Sequence, residues 1–135
     1  MQKIDLAYII DDDEIIIYLT DKILKKVEFC ERVEKFTDAQ DALDKLKEAL
    51  ATRKNVPEVI LFDLNMPNMS GWEFIEEFIK LPMEEEIPAF IFTSSIDPAD
   101  RERSYRYRAI KDFITKPLTV QKLDKILRII DKKDN

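Results

Sequence analysis

The sequence predicts an α/β fold, in which a parallel β-sheet is covered by helices on both faces. Short apolar runs alternate along the chain with segments of helical period, which is the pattern of strands joined by crossover helices. The chain has 135 residues, of which 45% are apolar, and this is enough for one domain with one core. We therefore expect a single domain over residues 1–135, with an ordered core from about residue 4 to about residue 131.

Five short segments are rich in β-branched and aromatic residues, which are the residue types that strands prefer. Each is bounded by polar or turn-forming residues, so each has the length of an ordinary strand. The predicted strands are Leu6–Ile10, Arg32–Phe36, Val59–Phe62, Ala89–Phe92 and Phe113–Thr115.

The segments between and after these strands carry the start signals of helices. Each begins at a side chain that can cap a helix, and in one case the cap is followed by a proline at the first helical position. The predicted helices run from Asp13 to about Lys26, from Thr37 or Asp38 to about Thr52, from Ser70 to Leu81, from Asp97 onward, and from Thr119 through Ile130.

The composition argues against several classes of function. The chain has no histidine and only one cysteine, Cys30, so the usual zinc ligands and an internal disulfide are missing. Gly71 is the only glycine, which excludes glycine-rich phosphate loops. The net charge of −6 argues against a nucleic-acid partner, because phosphate backbones are bound by surplus Lys and Arg.

The apolar runs indicate a cytoplasmic protein that does not bind membranes. None of them reaches the length of a membrane span. The apolar stretch near the N-terminus is not followed by the small-residue cleavage site of a secretory signal. We therefore expect a cytoplasmic location.

Four of the predicted strands are followed by polar side chains of complementary chemistry. The first ends in Asp11–Asp13, the third in Asp63, the fourth in Thr93–Ser95 and the fifth in Lys116. In a parallel sheet these ends share the carboxyl edge, where α/β folds bind ligands. Carboxylates this close repel one another, so either their pKa values rise or a cation lies between them. Magnesium prefers such oxygens and also takes phosphate oxygens, so the sequence predicts phosphoryl chemistry with a bound metal ion.

Asp63 is the best-placed nucleophile, because it alone follows a fully apolar strand and precedes a loop that a proline stiffens. An aspartate can accept a phosphoryl group when a metal ion and an ammonium group neutralise the charge on the transferring group. Lys116 can supply the ammonium group, and Thr93 can supply a hydroxyl hydrogen bond. Asp11 and Asp12 can hold the metal ion.

These residues resemble the motif of a known family. With this pattern the chain is similar, over nearly its whole length, to the receiver domains of bacterial two-component response regulators, among them the chemotaxis regulators. The resemblance implies a flavodoxin-like fold with five parallel strands in the order 2-1-3-4-5. One departure lies before the last strand, where many receivers have glycine and alanine. The matching residues are Ile10–Asp13, Asp63–Pro67, Gly71, Thr93–Ser94, Phe113 and Lys116–Pro117, and the departure is at Arg108–Lys111.

The resemblance implies a role for each matching residue near the metal ion. Asp63 would accept the phosphoryl group and, together with Asp12 and the backbone carbonyl of Asn65, would bind magnesium or manganese. Asp11 would act partly through water. The ammonium group of Lys116 would contact the phosphoryl group, and the peptide bond between Lys116 and Pro117 would be cis.

The resemblance also implies a conformational switch. Thr93 would move toward the phosphoryl group, and Phe113 would turn inward when it does. The side chains of Asn65 and Ser95 would tune the rate of dephosphorylation. From the sequence alone, however, Phe113 is an ordinary core residue, and only the resemblance gives it this role.

The implied partners are a histidine kinase or phosphotransfer protein, which donates the group, and an unknown downstream protein. The downstream protein would bind the face formed by the fourth helix, the last strand and the last helix. The chain would be a monomer or a phosphorylation-induced dimer. It would not be an enzyme acting on other substrates, and it would catalyse only its own phosphorylation and dephosphorylation.

Two alternative functions remain open. A pseudo-receiver would keep the fold as a protein-binding module without phosphorylation. A magnesium-dependent aspartyl phosphohydrolase would need a second acid two residues after Asp63, where this chain has Asn65, which cannot donate a proton in that way.

Two segments also have ordinary structural interpretations. Arg101–Arg108 interleaves basic and aromatic residues, as RNA-binding surfaces do, but a solvated helix face or a docking patch also fits. The overall acidity favours the solvated face over RNA. The helical spacing of aromatic residues within Trp72–Phe78 indicates core packing.

Overall fold

The computed structural model describes residues 4–94 and 97–134. Within these ranges five strands alternate with five helices. The elements are β1 (Ile4–Ile10), α1 (Glu14–Lys26), β2 (Cys30–Phe36), α2 (Ala39–Thr52), β3 (Val59–Phe62), α3 (Gly71–Phe78), β4 (Ala89–Thr93), α4 (Pro98–Ser104), β5 (Ile110–Thr115) and α5 (Val120–Asp134).

The strands form one parallel sheet in the order β2-β1-β3-β4-β5. The predicted fold class and strand order are therefore confirmed. Within the described part of the chain, no helix is both long enough and apolar enough to cross a membrane.

Side chains of the sheet pack against helices on both faces, because successive residues of a strand point to opposite sides. In β1, Leu6, Tyr8 and Ile10 join a core with residues of α2 and α3. Ala7 and Ile9 join a second core with residues of α1 and α5. Since both faces of the sheet are covered, its central strands are almost continuously apolar.

The helix starts agree with the capping signals in the sequence. The side chains of Asp13, Asp38, Ser70 and Asp97 each accept a hydrogen bond from a backbone N–H in the first turn of a helix. Such bonds satisfy donors that have no partner within the helix. Of the two alternatives for α2, the cap is Asp38.

Some element ends differ from the prediction. Strand β5 begins at Ile110 instead of Phe113, because Ile110 pairs with Ala89 across a local irregularity in the ladder. Helix α3 ends at Phe78 instead of Leu81. The N–H of Leu81 donates to the carbonyl of Phe78, so the chain continues in a tighter turn. Helix α5 continues through Asp134, beyond Ile130.

Backbone hydrogen bonds extend the ladders to the residues that follow the strands. The N–H of Asp63 donates to the carbonyl of Ile10 at 3.0 Å, and the N–H of Lys116 donates to the carbonyl of Thr93 at 2.8 Å. The positions of these residues are thus set by the sheet itself. The carboxyl edge of the sheet is therefore a rigid base for any site built on it.

A buried carboxylate fixes α1 against β2. Asp21 is 7% exposed, and its Oδ2 lies 2.8 Å from Lys35 Nζ and 3.2 Å from Lys25 Nζ. Burial alone would raise the pKa of Asp21, but the hydrogen bonds and charges of the two lysines outweigh burial and hold this pKa below its usual value.

We expect Asp21→Asn to lower the free energy of unfolding by about 1 kcal/mol at neutral pH, because the neutral amide cannot form ion pairs with Lys35 and Lys25. The effect stays this small because the side chains of both lysines are well exposed. Since folding lowers the pKa of Asp21, its contribution to stability is present above the unfolded pKa of roughly 3.9. It is lost as the pH falls through the folded pKa. Urea unfolding at several pH values measures the difference, which should shrink in acid.

The matched control is Asp124→Asn, which changes an exposed carboxylate on α5. Its free energy of unfolding should stay within about 0.5 kcal/mol of the wild type. A difference for Asp21→Asn that does not depend on pH would show that the charge of Asp21 is not what stabilises the contact.

Candidate functional site

Three carboxylates lie together at the carboxyl edge of the sheet. One oxygen from each of Asp11, Asp12 and Asp63 lies within 4.8 Å of the others. Asp11 and Asp63 are buried, and Asp12 is exposed at the mouth of the site. A cluster of oxygen ligands without nitrogen or sulfur suits a hard divalent cation such as Mg²⁺ or Mn²⁺.

The ammonium group of Lys116 joins two of these carboxylates. Its Nζ lies 2.6 Å from Asp11 Oδ2 and 3.2 Å from Asp63 Oδ2, and its side chain is only 10% exposed. The same Nζ lies 5.7 Å from the centre of the Phe92 ring, on the strand between. The ammonium group is thus held in a partly dry environment, where its charge acts more strongly than in water.

Burial and neighbouring charges shift the pKa values of this group. Burial raises the pKa of Asp11, and the charge of Asp63 adds to the rise, although Lys116 opposes it. For Lys116, burial favours the neutral amine, but the contacts with Asp11 and Asp63 outweigh burial and raise its pKa. Lys116 therefore stays an ammonium ion, and a bound cation would favour the ionised form of Asp11.

The carboxylate of Asp63 is oriented by its own loop. Its Oδ1 accepts hydrogen bonds from the N–H of Leu64 at 2.8 Å and of Asn65 at 3.4 Å, while Oδ2 faces Lys116. These contacts orient the carboxylate of Asp63. An aspartate in this setting can act as a nucleophile toward phosphorus, because such transfer depends mainly on positioning and electrostatics.

Gly71 allows α3 to begin directly against the Asp63 loop. Its N–H donates to the carbonyl of Leu64 at 2.9 Å. A Cβ atom at this position would lie 2.4 Å from the carbonyl oxygen of Asp63 and 2.7 Å from Leu64 Cα. The first turn of α3 is capped by a reciprocal pair of hydrogen bonds between Ser70 and Glu73. Glycine is therefore required here by close approach of two backbone segments.

Three more residues singled out by the sequence lie on β4, on β5 and in the loop after β3. Thr93 ends β4, is 1% exposed and is in register with Thr115 of β5. Phe113 is 5% exposed, and the guanidinium carbon of Arg101 lies 5.3 Å from its ring centre. Asn65 is exposed beside Asp63.

Two further predictions concern the backbone and the loop after β4. The peptide bond between Lys116 and Pro117 is cis. Ser95 lies outside the described residues. The proposed metal contact of the Asn65 carbonyl remains a prediction.

The sequence analysis missed contacts that join α3 to α4. Trp72, which helical spacing assigned to the core, is only half-buried. Its ring stacks on Tyr107 at 5.8 Å between centres, and Arg103 lies over it at 4.4 Å. Its Nε1 donates to Asp100 Oδ1 at 3.3 Å. The interleaved basic and aromatic residues were the visible signal, but their partners on α3 are distant in sequence.

A second missed residue is Lys122 on α5, whose Nζ contacts the backbone on either side of Lys116. A lysine six positions after the site lysine was a visible signal. An exposed helical lysine would give the same pattern, so sequence alone could not separate the two.

Comparison with known proteins identifies the family. Residues 7–128 match the response regulator receiver domain, so the chain belongs to this family. A two-component response regulator from Cytophaga hutchinsonii is 30% identical, with 97% of this chain and 99% of that chain covered and a TM-score of 0.89.

Two further proteins resemble this chain at lower sequence identity. The probable methanogenesis regulatory protein FilR2 of Methanothrix harundinacea is 24% identical over 125 residues, which cover 93% of this chain and 80% of that protein. The receiver domain of the histidine kinase CKI1 from Arabidopsis thaliana, in complex with Mg²⁺ and BeF₃⁻, is 21% identical. It covers 95% of this chain and 90% of that one, with a TM-score of 0.83.

We expect Gly71→Ala to lower the free energy of unfolding by about 2 kcal/mol or more, because the added methyl group must push α3 away from the Asp63 carbonyl. The backbone amide signals of Leu64 and Asn65 should also shift, since both donate to the Asp63 carboxylate. Urea unfolding and ¹H–¹⁵N spectra measure the two effects.

Glu77→Ala is the matched control on the exposed face of α3, and its stability should change by less than about 0.5 kcal/mol. Equal stability of Gly71→Ala and the wild type would show that α3 can move away from the loop without cost.

Proposed function

We propose that this chain is a phosphorylation-dependent signalling switch, in which Asp63 accepts a phosphoryl group from a histidine kinase or phosphotransfer protein. The observation that carries the proposal is the position of the buried Asp63 carboxylate. It lies 3.2 Å from the Lys116 ammonium group, which also pairs with Asp11, and one of its oxygens lies within 4.8 Å of oxygens of Asp11 and Asp12. Membership of the receiver family supports the same function.

The proposed reaction moves one phosphoryl group. An oxygen of Asp63 forms a bond to phosphorus while the bond from phosphorus to the donor's imidazole nitrogen breaks, and the nitrogen keeps the electron pair. The product is an acyl phosphate. Lys116 balances charge on the transferring group, and Thr93 donates its hydroxyl hydrogen to a phosphoryl oxygen.

Asp12, Asp63 and the backbone carbonyl of Asn65 would hold Mg²⁺ or Mn²⁺, with Asp11 acting partly through water. The metal ion would supply further charge neutralisation for the phosphoryl oxygens. The all-oxygen ligand set and the raised pKa of Asp11, which a cation would reverse, support this assignment.

The signal would pass from Thr93 to Phe113. Both are buried on neighbouring strands, where Phe113 of β5 is paired with Ile91, two residues before Thr93 on β4. A shift of Thr93 toward a phosphoryl group would leave space that the Phe113 ring can occupy. Asn65 and Ser95 would tune the lifetime of the phosphorylated form.

The downstream protein would bind the face of α4, β5 and α5. Tyr105 and Arg106, which directly follow α4, have exposed side chains in an acidic molecule, which favours a protein with acidic groups over a nucleic acid. We propose a cytoplasmic chain that is a monomer or dimerises on phosphorylation. It would catalyse only its own phosphorylation and dephosphorylation.

In the presence of Mg²⁺ and acetyl phosphate, the wild type is expected to gain the mass of one phosphoryl group, and Asp63→Asn is expected to gain none. With Mg²⁺ and beryllofluoride at about a hundred times the dissociation constant, the wild type should be stabilised by about 2.7 kcal/mol. Intact-mass spectrometry and thermal unfolding measure the two effects.

Asp13→Asn is the matched control, since asparagine caps a helix as well as aspartate does. It should be phosphorylated like the wild type. A wild type that stays unmodified at saturating donor and metal would instead favour the pseudo-receiver function.

We expect Thr93→Ala to bind beryllofluoride but to lose most of the chemical-shift change that this ligand causes around Phe113 and α4. The physical reason is that alanine lacks the hydroxyl group through which the ligand would pull on β4. ¹H–¹⁵N spectra with and without beryllofluoride measure the change. The control is Ser94→Ala, which removes the neighbouring exposed hydroxyl group and should respond like the wild type; an equal response of both variants would remove Thr93 from the signal path.

A further inference from the structure

Lys122, in the first turn of α5, donates three hydrogen bonds to the loop that carries Lys116. Its Nζ lies 2.7 Å from the carbonyl oxygen of Thr115, 3.0 Å from Thr115 Oγ1 and 3.0 Å from the carbonyl oxygen of Pro117. These carbonyls belong to the residues directly before and after Lys116. An ammonium group has three donors, so every hydrogen of Lys122 Nζ has an acceptor in this loop.

These bonds hold the backbone of Lys116 from one side, while the sheet holds it from the other. The N–H of Lys116 donates to the carbonyl of Thr93 at 2.8 Å. Hydrogen bonds from a charged donor are shorter and stronger than neutral ones. The backbone from Thr115 to Pro117 is therefore fixed by a neighbouring strand and by a helix at the same time.

The fixed backbone matters because the Lys116 side chain is long. Its Nζ reaches Asp11 Oδ2 at 2.6 Å and Asp63 Oδ2 at 3.2 Å. A small rotation of the backbone would be magnified at the end of this side chain. Charged groups stabilise a transition state best when they are held within about 0.5 Å of their working position.

We infer that Lys122 is a positioning residue for phosphoryl transfer, which holds the loop on both sides of Lys116 so that the ammonium group meets the phosphoryl group at Asp63. This inference rests on the proposed function. It assigns to Lys122 an effect on the rate of the chemical step, and not on metal binding, since Lys122 bonds to none of the carboxylates of the metal site in the described residues.

The test compares Lys122→Met with Lys125→Met. Lys125 lies on the same helix, one turn further on, and pairs with Asp112 of β5 at 2.8 Å. Both variants therefore remove one positive charge and the contact of that charge with β5. Only Lys122 contacts the loop of Lys116.

With acetyl phosphate, which needs no docking partner, Lys122→Met should lower the rate constant of phosphorylation at saturating donor roughly fivefold to tenfold, as expected for a misplaced catalytic group. Its dissociation constant for Mg²⁺ should stay within about twofold of the wild type. Lys125→Met should match the wild type in both. Should Lys122→Met fail to fold, Lys122→Gln retains one donor group and should show a smaller loss of rate.

A double-mutant cycle separates positioning from general stabilisation. If Lys122 acts through Lys116, adding Lys122→Met to Lys116→Met should lower the residual rate no further. The inference would be overturned if Lys122→Met lowered the phosphorylation rate equally in the wild-type and Lys116→Met backgrounds. It would also be overturned if Lys122→Met had the same rate as the wild type.

A measurement on the unphosphorylated protein tests the positioning role of Lys122 separately from the proposed phosphorylation of Asp63. In ¹³C spectra of the unphosphorylated protein, the Lys116 ε-methylene group should be ordered in the wild type and in Lys125→Met, and mobile in Lys122→Met. If the wild type accepts no phosphoryl group, the proposed function fails, yet this spectrum still reports on Lys122. An ordered Lys116 side chain in Lys122→Met would overturn the positioning role by itself.

Discussion

The contact of one ammonium group with two buried carboxylates is the constraint on which the rest of the site depends. Lys116 follows β5, Asp63 follows β3 and Asp11 follows β1, so the three charges bridge the ends of four adjacent strands, with β4 in between. Burying any one of these charges without the others would be costly. The arrangement therefore needs the carboxyl ends of β1, β3 and β5 at the same edge of the sheet.

Two contacts with helices hold the backbone of the loops that carry Asp63 and Lys116. On one side, the start of α3 approaches so closely that only a glycine fits at position 71. On the other side, Lys122 of α5 holds the loop of Lys116. Neither residue touches the carboxylate cluster directly. The helices thus do more than cover the apolar faces of the sheet, because two of them also contact the loops that carry Asp63 and Lys116.

The sheet and the carboxylate cluster were predictable because their signals are local. An apolar strand that ends in an acid, such as Val59–Phe62 before Asp63, identifies both the strand and the residue at its carboxyl end. The start of β5 was not predictable in this way, since Lys111 and Asp112 look unlike strand residues. They are accommodated by ion pairs with Glu86 and Lys125, which only the folded chain brings near.

The same distinction explains why Trp72 packs against the edge of the core instead of being fully buried in it. Helical spacing places Trp72 on the apolar side of α3, but spacing does not reveal how much of a ring is covered. Its neighbours Tyr107 and Arg103 come from a segment about thirty residues later in the chain. Contacts of this kind depend on how α4 lies beside α3, and that is a property of tertiary packing.

In the proposed function, the charges of the site would couple metal binding to phosphoryl acceptance. With all groups ionised, Asp11, Asp12 and Asp63 carry three negative charges and Lys116 one positive charge, so two negative charges remain uncompensated. Burial raises the pKa of Asp11, and the charge of Asp63 adds to the rise, although Lys116 opposes it. A divalent cation would cancel the excess, whereas a phosphoryl group would add negative charge to it. Each ligand should therefore bind more tightly in the presence of the other, because binding linkage is reciprocal.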